Sequence, residues 1–190
     1  MESSAATDSL IRWTIRVALA LYVAALALRL MANRRRSWLD AARLAWTAGC
    51  VAFLTHVACA FHFVHGWSHA AAYEHTARRT AEVVGWRWGS GLYLNYLFGI
   101  AWIADASWWW ASAASYESRP RWIEWSVQGF LAFIAFNSTA VFGVGAIRWW
   151  GLAATGVLLA VAWFGTGRAG PTGPTGPTRP PSPRARSPRR

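Results

Sequence analysis

The sequence predicts an all-α, polytopic membrane helix bundle of about five transmembrane helices. Three observations carry that expectation. Apolar residues make up 55% of the chain and charged residues only 14%, against roughly 25% charged in an average soluble domain. Apolar runs recur along the chain, each near the about 20 residues that a helix needs to cross a hydrocarbon core of about 30 Å. Tryptophan, fifteen in number, gathers at the ends of those runs, where indole rings favour the headgroup interface.

A short segment, residues 1–9, precedes a helical bundle over residues 10–166 and a tail over residues 167–190. The first span is Trp13 to Met31. Arg12 and Arg16 ahead of a compact apolar stretch have the layout of a secretory leader, but no small-residue cleavage site follows. Arg34, Arg35 and Arg36 form a stop-transfer flank, so this span is expected to remain as an anchor. The second span is Leu44 to Val64. No proline interrupts residues 41–84, so this helix is expected to extend beyond the membrane, kinked at Gly66, as far as Gly85. Gly85, Gly89 and Gly91 around Trp86 and Trp88 turn the chain back into a third span, Gly91 to Trp110. A fourth runs from Trp125 to Ala146, with Gly143 and Gly145 placed for close helix approach, and a shorter fifth from Trp149 to Phe164. Arg148, Trp149, Trp150 and Gly151 separate the last two as a tight hairpin; one bent helix is the alternative.

Charge sets the orientation. Every base is arginine, and the net charge of +11 falls into loops and the tail rather than onto one face, which speaks for topology and against nucleic acid. Arg34, Arg35 and Arg36, then Arg119 and Arg121, then Arg168, Arg179, Arg184, Arg186, Arg189 and Arg190 lie on one side if the spans are odd in number. That side is the cytoplasm, with the N-terminus outside, in the cytoplasmic (inner) membrane. The lipid bilayer is then the first partner, with membrane proteins or further copies of the chain as others. The tail repeats Gly-Pro-Thr three times from Gly170 to Thr178 and continues with prolines and arginines, so it is expected to be disordered.

Histidine supplies the chemistry. His56, His62, His65, His69 and His75, all five in the chain, fall within residues 56–75, where the second apolar run turns polar on the outer side. On one helix His62, His65 and His69 project within about 60° of one another. Imidazole suits Zn, Cu or Fe, and three such ligands with an open position describe a catalytic zinc site. The stripe spreads over about 10 Å of axis, however, so two of the three would share one ion, with His56, His75, Glu74, Cys59, Tyr93 and Asn95 as further donors. Haem is disfavoured, because bis-histidine ligation needs two faces and this chain has histidine in one segment only. The H-E-x-x-H zincin pattern is absent.

Other polar groups fall inside the spans. Asp105 lies toward the inner end of the third, and Glu124 and Gln128 open the fourth on the same side, with Arg29 placed to neutralise a carboxylate. Asn95, Asn137, Ser138 and Thr139 are expected to make interhelical hydrogen bonds. Cys50 and Cys59 project to opposite faces of one helix and imply no disulfide.

Three function classes follow. The first is an integral membrane protein with a metal-binding, redox-associated histidine cluster at its outer face. The second is a structural or assembly subunit without chemistry of its own. The third is a small transporter or channel subunit, which would need a path from the histidines to Asp105; no broken helix or repeat of that kind is visible.

Overall fold

The computed structural model describes residues 2–32 and 37–141, together with 148, 149, 151–153 and 156. These residues build α1 (Glu2–Met31), α2 (Ser37–Phe63), α3 (His69–Val84), α4 (Gly91–Ala111), a short α5 (Ala113–Glu117) and α6 (Arg121–Phe136). α6 runs into a π-helical turn, Asn137–Val141, and no strand occurs among the described residues. Most of the fifth expected span and the whole tail lie outside the described residues.

The all-helical class is as expected, whereas five spans do not emerge. By length and composition two helices could cross a membrane, over Ala6–Met31 and Ser37–Phe63. The shortfall has a physical cause. α4 is long enough at 21 residues but carries Trp102, Trp108, Trp109, Trp110, Tyr93 and Tyr96, whose N–H and O–H groups favour the water interface and lower the hydropathy of the run. α6 has 16 α-helical residues before its π-helical turn, and residues 142–146 of the expected fourth span, Gly143 and Gly145 among them, lie outside the described residues.

The core forms where helices present small residues and aromatics at helical spacing. α1 buries Ala18, Tyr22 and Ala25; α2 buries Ala42, Trp46, Gly49, Cys50 and Phe53; α4 buries Phe98, Gly99, Trp102, Asp105, Ala106 and Trp109; α6 adds Leu131 and Ile134. Tyr22, Trp46 and Trp102 stand with ring centres 5.1 to 5.5 Å apart, and Phe53 meets Phe98 edge-on at 4.8 Å. Gly49 makes this packing feasible: a Cβ there would stand 3.0 Å from Trp102 Cζ2 and 3.2 Å from Leu21 Cβ. The opposite faces are also apolar, with Val17, Leu44, Val51, Leu97, Ile100 and Phe133 exposed. A helix apolar on all sides belongs to a membrane or to the interior of a large assembly.

α2 does not extend to Gly85. It stops at Phe63, because Gly66 and then Trp67 adopt left-handed backbone at φ 54° and 60°. The His65 N–H bonds back to the Ala60 carbonyl at 3.2 Å and the Trp67 N–H to the Phe61 carbonyl at 2.9 Å, which satisfies carbonyls at the end of α2. Ser68 then caps α3 by accepting from the Ala71 N–H at 3.2 Å, and Gly85, at φ 80°, ends it.

Candidate functional site

The break between α2 and α3 scatters the histidines. His62, in the last turn of α2, accepts the Trp67 indole N–H on Nδ1 at 3.2 Å. His65 sits in the turn, and His75, one α3 turn further along, faces it with ring centres 5.2 Å apart and planes at 50°. His69 opens α3 and turns toward α4, with Nδ1 3.1 Å from Tyr96 Oη and Nε2 3.4 Å from Tyr93 Oη. His56 is held inside the bundle, where Nδ1 donates to the Ile11 carbonyl at 3.0 Å with Thr14 Oγ1 3.4 Å away. The expected stripe of His62, His65 and His69 therefore does not form, since it required one continuous helix. Among the described residues no group of three or more His, Cys, Asp or Glu side chains stands ready to hold a metal ion.

Glu74 is committed elsewhere: Arg87 bonds it across the α3–α4 loop, and Arg78 stands 3.9 Å away. Tyr73 covers Gly89 so closely that a Cβ there would collide with its ring at 2.5 Å, which fixes the loop carrying Arg87. Cys50 and Cys59 are free thiols.

At the other end of the bundle stands a second polar cluster, in which Arg119 keeps its buried Nε and Nη2 without a hydrogen-bond partner among the described residues. Arg119 bonds Asp105 at 2.6 Å, with both side chains at most 2% exposed. Tyr116 donates to the second Asp105 oxygen at 2.8 Å and accepts from Arg29 at 3.1 Å. Arg29 in turn pairs with Glu124 at 2.8 Å. Trp109 stacks flat on Tyr116 at 4.6 Å, and the Arg119 guanidinium lies over the other side of that ring at 4.0 Å. Two arginines thus meet two carboxylates, joined through one phenol. Arg29 neutralises a carboxylate as expected, that of Glu124, whereas Asp105 is paired by Arg119, which the chain brings to it at the turn before Pro120. Arg119 also leaves the set of loop charges that set the orientation, since it is 6% exposed. Gln128 lies half-buried on α6, and its Oε1 makes no hydrogen bond among the described residues.

Asn137, Ser138 and Thr139 do not bridge helices as a group. Asn137 Nδ2 bonds the Phe133 carbonyl and Thr139 Oγ1 the Ala135 carbonyl, each at 2.8 Å. Such bonds back to the preceding turn compete with interhelical ones. Asn95, exposed on α4, lines with Ser138, Thr139 and Trp102 a cavity of about 60 Å³.

No family model, curated protein or solved structure matches this chain.

Electrostatics separates the two clusters. His65 titrates below the ordinary histidine range, first through burial and then through the neighbouring His75, so it stays neutral with a free lone pair near pH 7. Glu74 is held below the usual carboxylate range, chiefly by the Arg87 hydrogen bond, so it remains an anion bound to arginine. Burial, followed by the Asp105 carboxylate, keeps the Tyr116 phenol protonated, as its donated hydrogen bond requires. Tyr116 and Arg119 lie 11 and 14 residues beyond Asp105, but the helix breaks at Ser112, so spacing alone does not announce that they reach it. Tyr96, by contrast, is one turn from Tyr93 on a helix that follows the histidines, a pattern visible in the sequence.

Proposed function

We propose that the chain is an integral membrane protein whose extramembrane histidine pair, His65 and His75, binds a transition-metal ion. The pairing of their rings carries this reading. Two imidazoles on one tetrahedral ion, each nitrogen about 2 Å from the metal, place their ring centres about 5 Å apart, and these rings are 5.2 Å apart. Imidazole selects Zn, Cu or Fe over Mg or Ca. Two ligands leave coordination positions for water, a second copy or a partner protein. In the fuller arrangement α1, α2, α4 and α6, with the apolar residues 149–164, make five spans of the cytoplasmic membrane, with the histidine pair outside. The exposed apolar faces of α1, α2 and α4 support that arrangement.

The test is metal analysis of detergent-purified full-length protein after exposure to Zn or Cu and extensive dialysis. The expected result is a retained ion that is lost in His65→Ala and in His75→Ala but kept in His62→Ala. Protein that retains no metal, or variants that retain as much as the parent, would overturn the reading in favour of a structural or assembly subunit.

A further inference from the structure

Beside the helix contacts described above, α2 and α4 leave an open groove of about 390 Å³. Its walls are Cys50, Val51 and Leu54 on one side and Ile103, Ala106 and Ser107 on the other. Val51, Leu54 and Ile103 are exposed there, at 58%, 39% and 41%. One end is closed and polar. Trp110 donates its indole N–H to Thr47 Oγ1 at 2.8 Å, and the Arg43 guanidinium lies over the Trp110 ring at 4.1 Å. The groove thus pairs an apolar slot, of a volume within the about 300–1,000 Å³ of ordinary ligand sites, with a single positioned cation.

We infer that this groove holds one phospholipid, with an acyl chain between α2 and α4 and its phosphodiester on Arg43; the inference rests on the membrane reading of the bundle. Charge complementarity selects the occupant. The only hydrogen bond that Arg43 donates through its side chain among the described residues reaches Asp40 at 3.4 Å. Asp40 is 76% exposed, and a pair so open to solvent competes poorly with a phosphate, whose oxygens match the guanidinium fork. Trp110 holds the fork at the mouth rather than letting it sweep through water. A transmembrane partner helix fits this end less well, because the cation would then need a buried acceptor inside the bilayer.

The experiment uses full-length protein reconstituted in nanodiscs of phosphatidylcholine and phosphatidylglycerol in equal parts, then released for native mass spectrometry. The parent is expected to keep a bound phospholipid. Arg43→Gln should reduce the retained lipid about fivefold, the factor that one arginine supplies at a lipid headgroup. Arg43→Lys, which keeps the charge but loses the fork and the stacking on Trp110, should retain an amount between the parent and Arg43→Gln, and Ser107→Trp, which fills the slot, should displace the acyl chain while circular dichroism stays unchanged. Retention unaltered in both Arg43→Gln and Ser107→Trp, or a parent that keeps no lipid, would overturn the inference. Protein that fails to enter nanodiscs at all would instead refute the membrane reading, and the two failures are distinct.

Discussion

His65 and His75 differ from the other three histidines in what their rings touch. His62 is engaged by Trp67, His69 by two tyrosines, and His56 by the α1 backbone, whereas His65 and His75 face each other. Burial, and then the neighbouring His75, depress the folded-state pKa of His65, so its ring is still neutral at the ordinary value of about 6.5 and takes a proton only at lower pH. A metal bound by the pair competes with those same protons. Metal retained at pH 7.5 should therefore be released as the pH drops below about 6, and a titration followed by dialysis and metal analysis checks this; retention down to pH 4 would point to carboxylate or thiolate ligands instead. At the other end Arg119→Ala strands the Asp105 carboxylate. Breaking a buried pair from one side costs about 3–5 kcal/mol, so thermal unfolding in detergent should move sharply downward. The double change Asp105→Leu with Arg119→Leu should recover most of that loss, since it leaves no unpaired charge.

Among the elements, the α2–α3 break decides which histidines meet. The clustering of all five was legible from residue order, but their directions were not, because a glycine within a proline-free run signals either a kink or a stop. What settled it was the pair Gly66 and Trp67, both left-handed, the second against the ordinary preference of a residue with a side chain. Ser68 then starts α3 with a side-chain cap. Ser68→Ala should cost about 1 kcal/mol and loosen the approach of His75 to His65, visible as weaker metal retention at unchanged bundle helicity. Equal retention would show that the turn alone fixes the pair. Gly49 is the corresponding position in the bundle. Gly49→Leu forces side-chain atoms into the Trp102 ring and should lower thermal stability by about 1–3 kcal/mol, the usual cost of overpacking; an unshifted transition would contradict the packing described for Tyr22, Trp46 and Trp102.

For the whole molecule, composition and run length gave the helical class, a signal summed over many residues that survives local error. Of five expected spans two emerge as helices long and apolar enough to cross a membrane, because α4 mixes apolar length with six Trp and Tyr residues and most of residues 149–164 lie outside the described residues. The Asp105 network was half legible: Asp105, Arg29 and Glu124 announce themselves as charges inside apolar runs, but Tyr116 and Arg119 reach the site through the short α5 and the turn at Pro120. Arg119 looks like one more loop charge until the fold buries it. The resulting molecule has a neutral, closed polar cluster at one end and an open histidine pair at the other. The second brings two imidazole ring centres within 5.2 Å of each other, which is why the functional reading rests there. The most direct measurement is electron paramagnetic resonance of the full-length protein loaded with Cu(II), counting imidazole nitrogens from the superhyperfine pattern. The account predicts two nitrogens in the parent and loss of that signal in either His65→Ala or His75→Ala, with His62→Ala unchanged; a parent spectrum of free aqueous copper, or a nitrogen count untouched by His65 and His75, would contradict it.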